Sequence, residues 1–183
     1  MNMLHTCSPG CRHDPSKRRV RRISGSAAPV IDFHWHVLTP EVEVLVGGTA
    51  QKKAERARQV ALTGEASVHH SERVTGPPAA CRMTSVEERL ADMEAMGVDR
   101  QVMSPSPTQY YDWAEEGLAE KSVRVQNEHI AELCARHPTR LSGLGAVALQ
   151  SPSLAVAQLR HCVKTLGLHG VEISSSANGV ELS

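Results

Sequence analysis

Polar and apolar positions alternate over residues 30–36, so on an extended strand Ile31, Phe33 and Trp35 take one face while Asp32, His34 and His36 take the other. The period then changes. Thr84 and Ser85 each open an S/T-x-x-E capping box, Val86, Leu90 and Met93 follow at helical spacing, and Gly97 supplies a stop, which predicts a helix ending there. Residues 98–104 carry valine and methionine ahead of Pro105, as expected of a short strand with a loop at its carboxyl end. A second helix is predicted over 114–137, with Ile130, Leu133 and Cys134 on one face and Pro138 as its stop. Residues 141–149 are small and apolar throughout, which fits a strand covered on both faces. Ser151-Pro152 opens a third helix whose stripe is Ala155, Leu159, Cys162, Val163 and Leu166; Gly167 closes it, and a last strand is expected over 170–174.

The predicted order is strand, helix, strand, helix, strand, helix, strand. Each connection holds a helix of ~12 or more residues, as parallel neighbours in one sheet require. The run from Gly97-Val98 to Ser104 recurs as Gly167-Leu168 to Ser174, a repetition that suits a (β/α) barrel or a doubly wound sheet. Two stretches stand outside the repeat. Residues 1–28 carry Arg12, Lys17, Arg18, Arg19, Arg21 and Arg22 against one acid, Asp14, and read as a disordered basic tail. Residues 39–83 form a long excursion with a helical piece near 50–62 and a Gly-Pro-Pro break at 76–78, and such lengths usually serve as functional covers.

Composition narrows the function classes. A chain of 183 residues, 40% hydrophobic and 22% charged, has the balance of one ordinary globular domain. Twenty basic residues match 20 acidic ones, so no overall field recruits nucleic acid or an anionic membrane, and neither partner is expected. No apolar run approaches the ~18–20 residues that cross a bilayer, and residues 1–15 lack an apolar signal core, which makes the cytoplasm the expected location. Five cysteines at irregular positions form a poor disulfide framework and fit a reducing compartment. Cys134 and Cys162 fall on apolar helix faces and read as small buried hydrophobes.

His34 and His36 are the candidate metal ligands, because two imidazoles on one strand face, ~6–7 Å apart along the strand, can converge on one divalent ion. A catalytic zinc usually takes three protein ligands and keeps one open position, so the pair is incomplete alone. In parallel α/β folds the reacting groups gather at the carboxyl ends of strands, which is where this pair lies. Asp32 shares the face two positions deeper, where a structural hydrogen bond is the expected role. Glu172, on the predicted last strand, can point inward. Arg73, Arg82 and Arg89 flank the cover and the first long helix; one could hold a substrate carboxylate through a bidentate pair, and Arg89 equally suits a surface ion pair. His69-His70 reads as a solvated pair on an irregular loop, His137 as a helix-end residue complementing the dipole, and His129, His161 and His169 lack the placement of ligands. Cys7-x3-Cys11-x-His13 could hold a metal with a fourth ligand, as a small zinc-binding module, although it is off the usual C-x2-C spacing. No residue is assigned a catalytic role from the sequence.

Several segments in register resemble the metal-dependent amidohydrolase superfamily, in its branch related to aminocarboxymuconate semialdehyde decarboxylase. They are Ile31-Asp32-Phe33-His34-Trp35-His36, the run from Met93-Glu94-Ala95-Met96-Gly97-Val98-Asp99 through Val102-Met103-Ser104-Pro105, Gly143-Leu144-Gly145-Ala146-Val147-Ala148-Leu149-Gln150, and Leu166-Gly167-Leu168-His169-Gly170-Val171-Glu172-Ile173. The resemblance implies an α/β fold that is part of a TIM-type (β/α)8 barrel, about its first four strands with three connecting helices, over residues 29–183. It also implies a divalent ion, commonly zinc, with His34 and His36 among its ligands, and a small carboxylate-bearing substrate that is decarboxylated or hydrolysed. The family's later ligands and acid/base residues have no counterpart in these 183 residues. The expectation is therefore a fragment or truncated product, inactive alone, whose open sheet edge favours pairing with another chain, including a homo-oligomer. The alternative is a non-catalytic half barrel kept for interaction.

Overall fold

The structure, a computed structural model, describes residues 28–74 and 83–182. The expected tail, apart from Ala28, lies outside the described residues, as do Cys7, Cys11, His13, Arg82 and the Gly-Pro-Pro break.

Three strands form one parallel sheet in the order β1 (Ile31–Val37), β2 (Arg100–Pro105), β3 (Leu141–Gly143). Helical crossovers join them, as parallel pairing demands. The Ser85 hydroxyl accepts the Glu88 N–H and so caps the helix Val86–Met96, which ends where Gly97 turns left-handed at φ 70°. The helix Glu116–Arg136 starts on Glu115, whose carboxylate accepts the N–H groups of Gly117 and Leu118. Between sheet and helices lies one core of Trp35, Val37, Met93, Met103, Ile130, Leu133 and Leu141.

The fourth strand and much of the third are corrected by the structure. β3 is three residues long, because beyond it the Asn127 side chain of the second long helix does the work of a neighbouring strand. Its Oδ1 accepts the Ala146 N–H at 2.7 Å and its Nδ2 donates to the Ala146 carbonyl at 3.0 Å. The segment expected as a fourth strand is reduced to one parallel bridge, Gly145 with Val171. It still runs in the fourth position beside β3. A small hairpin follows, β4 (Ser176–Ala177) and β5 (Val180–Glu181), across Asn178 and Gly179 at φ 50° and 76°, the two-residue turn with both central residues left-handed.

Gly145 is confined by this arrangement: a Cβ there would meet Asn127 Oδ1 and Cys162 Sγ, each at 2.7 Å. Gly145→Ala should therefore lower stability by about 1–3 kcal/mol, the usual cost of overpacking, with urea denaturation as the check.

The third long helix, Pro152–Lys164, starts as expected on Ser151-Pro152, but its predicted stripe is only partly covered. Cys162 is buried and Ala155 and Leu166 are half-buried, whereas Leu159 and Val163 are each 40% exposed. A full stripe needs a full sheet beneath it; a single bridge offers a narrower floor.

The cover is helical through most of its described length: α1 (Pro40–Val46), α2 (Ala50–Lys53), α3 (Glu55–Thr63) and α4 (Glu65–Val74). We number the three long helices α5 (Val86–Met96), α6 (Glu116–Arg136) and α7 (Pro152–Lys164). Val42 and Val46 of α1 join Ala119 and Val123 of α6 in a second core, which seats the cover on the domain. No helix among the described residues is long and apolar enough to cross a membrane.

Candidate functional site

β1 carries its histidines to the carboxyl end of the sheet through an irregularity in its pairing. Asp32 pairs with Gln101 and Trp35 with Met103, so one extra residue is inserted between them. Asp32 Oδ1 accepts the His34 N–H at 3.0 Å, a local turn that stabilises this bulge. The strict alternation expected from the sequence is thus interrupted: Trp35 is buried, while Phe33, expected beside it, is 73% exposed. His34 and His36 remain neighbours, with ring centroids 4.8 Å apart in an edge-to-face arrangement.

His34 is exposed and His36 half-buried, with His36 Nδ1 3.1 Å from the Ser104 hydroxyl of β2. Burial lowers the His36 pKa and the neighbouring His34 adds to this, against the opposing charge of Glu172. The ring therefore rests in the neutral form that a metal takes. In the tautomer with the proton on Nδ1, that proton points at Ser104 Oγ and Nε2 would be the ligating atom, the usual way an outer partner orients a ligating imidazole. As a metal site the pair fits in kind but not in number. Among the described residues no group of three or more His, Cys, Asp or Glu is gathered to hold an ion.

Asp32 has the structural role expected of it, and Arg89 is corrected from a surface residue to a buried one. Arg89 is 3% exposed, its Nη2 donates to Asp32 Oδ2 at 3.2 Å, and its guanidinium lies 5.1 Å from the Trp35 ring centroid. Buried Gln101 completes the cluster, accepting from Arg89 Nε and donating to Asp32 Oδ2. No substrate carboxylate is left a place on this arginine.

Glu172 lines a small, partly open pocket together with Tyr110, Asp112, Gln150, Ser174 and Ser176. The Tyr110 hydroxyl donates to Glu172 Oε1 at 3.0 Å. Burial and the Glu172 charge push the Tyr110 phenol well above its ordinary pKa, so at neutral pH it stays a donor. Sequence reasoning passed over Tyr110 because the loop after β2 has no periodicity; its place directly after a strand end was the available signal. The other candidates fall away from this end. His69 and His70 are exposed, on helix α4 and not on the irregular loop expected, with Arg73 Nη2 3.4 Å from His70 Nδ1. His137 caps α6 with its N–H on Leu133 and Cys134 carbonyls. Burial pushes the Cys134 thiol up to about 11, as suits an unreactive core sulfur, and Cys162 is fully buried.

A parallel sheet with paired imidazoles, a phenol and a carboxylate at the carboxyl ends of its strands defines an α/β protein of the kind that binds ligands at that end. The chain belongs to the amidohydrolase family, whose sequence profile matches residues 31–183. The 2-amino-3-carboxymuconate-6-semialdehyde decarboxylase of Dictyostelium discoideum is 34% identical over 94 residues, 51% of this chain and 26% of that protein. A gamma-resorcylate decarboxylase of Polaromonas is 29% identical over 99 residues, 54% and 30% of the two chains. Among solved structures, the 5-carboxyvanillate decarboxylase of Novosphingobium aromaticivorans, complexed with manganese and 4-hydroxy-3-methoxy-5-nitrobenzoic acid, superposes with a TM-score of 0.69 at 25% identity. That match covers 84% of this chain and 43% of the other. The chain thus spans less than half the length of these relatives.

Proposed function

We propose that the chain carries the first-strand metal ligands of a non-oxidative decarboxylase, a carbon–carbon lyase acting on a small aromatic carboxylate, with hydrolysis as the family's other chemistry. The observation that carries this reading is the placement of His34 and His36, 4.8 Å apart at the carboxyl end of β1, within a family whose matched relatives are decarboxylases. His34 and His36 would hold the ion. Bound there, a divalent metal supplies Lewis-acid polarisation of a substrate oxygen. Zinc is the ion the resemblance suggests, and the Novosphingobium relative was solved with manganese, so both belong in any test. The protein's own groups then set the geometry: Ser104 orients His36, and Tyr110 fixes Glu172 beside the pocket.

With two imidazoles and no third donor gathered beside them among the described residues, the 183-residue chain alone is expected to bind metal weakly and to release no carbon dioxide. The check is carbon dioxide release from 2,6-dihydroxybenzoate and 5-carboxyvanillate with zinc or manganese added. Substrate-dependent release that a chelator abolishes would overturn the inactive reading and establish the lyase. A second reading, a half barrel that pairs with another chain, is favoured by the outer edge of β1, which pairs with no strand among the described residues and where Ile31 and Phe33 are 47% and 73% exposed. A monomer by light scattering in the same preparation counts against it.

A further inference from the structure

The chain has two tyrosines, adjacent at 110 and 111, and their hydroxyls reach different parts of the fold. Tyr110 donates to Glu172 beside the fourth strand position. Tyr111 turns to the cover, where its hydroxyl donates to Glu43 Oε1 of α1 and accepts from Lys52 Nζ of α2 at 2.8 Å. The Lys52 ammonium also lies 4.7 Å from the Tyr111 ring centroid and pairs with Glu43 at 3.0 Å and Glu55 at 2.6 Å. Gln109, 1% exposed, ties the same point down by donating to Glu43 and closing two hydrogen bonds on the Thr39 backbone.

Tyr111 is only 5% exposed and sits at φ 40°, in the left-handed region that a bulky side chain occupies only when its surroundings hold it. Its carbonyl is held from the other side by Gln150 Nε2 at 3.4 Å, and Gln150 also lines the pocket that holds Tyr110 and Glu172, the mouth pocket. Because φ at Tyr111 sets the orientation of the peptide joining it to Tyr110, relaxation to the ordinary negative range, a swing of roughly 100°, turns that peptide and carries Tyr110 away from Glu172.

We propose that Tyr111 is a positioning residue: clamped in a left-handed backbone by Glu43 and Lys52 of the cover, it aims Tyr110 at Glu172, so the seating of the cover and the shape of the mouth pocket form one coupled unit. That this end of the sheet is the reacting end is taken from the proposed function. The test reads neither metal nor turnover, so the two can fail separately.

Tyr111→Phe keeps the ring, removes both hydroxyl bonds and leaves Tyr110 as the chain's one phenol, whose ionisation then shows directly in ultraviolet difference absorbance. Lys52→Met releases the same clamp from the cover side. In the native chain both phenols should stay un-ionised at about pH 11, whereas in Tyr111→Phe Tyr110 should titrate near its ordinary value of about 10. At neutral pH, deuterium exchange of peptides spanning 40–53 and 107–114 should quicken about threefold or more in both variants, with β2 and the second half of α6 unchanged. A cover that loosens while Tyr110 keeps its raised ionisation and 107–114 its slow exchange would overturn the coupling. Unchanged exchange in the cover, or a uniform rise throughout the core, would equally overturn it.

Discussion

Replacing Asp32 by alanine should lower the unfolding free energy by about 3 kcal/mol, read as a shifted denaturation midpoint at unchanged slope. The side chain lost is 30% exposed, but the one left behind is not: Arg89 keeps 4% side-chain exposure, and burial already works against its charge. Removing Asp32 leaves a buried guanidinium without its hydrogen-bonded counter-charge and with only the charge of Asp92 to offset it; stranding one partner of a buried pair typically costs about 3–5 kcal/mol. The partial exposure of Asp32 places the expectation at the lower end of that range. Adding Arg89→Met to Asp32→Ala should restore much of the loss, because the methionine side chain removes the stranded charge while keeping contact with Trp35. A loss below about 1 kcal/mol in the single variant would mean that the cluster of Asp32, Arg89 and Gln101 does not hold β1 against β2 and α5 as described.

The consequence reaches the site through one bond. Asp32 Oδ1 receives the His34 N–H, so the carboxylate that neutralises Arg89 through its other oxygen also shapes the bulge that delivers His34 to the strand end. The buried cluster and the imidazole pair are thus joined through a single side chain.

Much of this frame could be read from residue order. β1, α5, β2 and α6 were legible because each carries a periodic run and a local stop or cap: Ser85 and Gly97 around α5, Pro105 as the last residue of β2, Pro138 after α6. That His34 and His36 would be neighbours at a strand end was legible because they are two residues apart in β1; their role as metal ligands is the proposal. What was missed depends on contacts distant in sequence. Nothing near Arg89 announces that Asp32 and Gln101 will close over it, and nothing near Ala146 announces that Asn127 will take over its backbone hydrogen bonds and cut β3 short. α1 carried a signal, Thr39-Pro40 at its start and Val42 and Val46 one turn apart, but seven residues are too few for periodicity to stand out. The hairpin at Asn178-Gly179 was likewise readable from its turn residues, and strands of two residues hid it.

Loss of the imidazole pair should have the other large effect. Even the outer partner of a metal ligand typically contributes about 10–100-fold in affinity, so removing both candidate ligands should lower affinity by about 100-fold or more, to no detectable binding. Ser104→Ala, by freeing the His36 ring, should give a smaller loss within that range. Titration calorimetry of the 183-residue chain with zinc and with manganese, beside its His34→Ala/His36→Ala form, tests the central claim most directly. The account predicts saturable uptake of one ion per chain, weak in the native protein and absent from the double variant. Equal isotherms for the two proteins, or no saturable uptake by the native chain, would contradict it, as would binding lost only on deletion of residues 1–28.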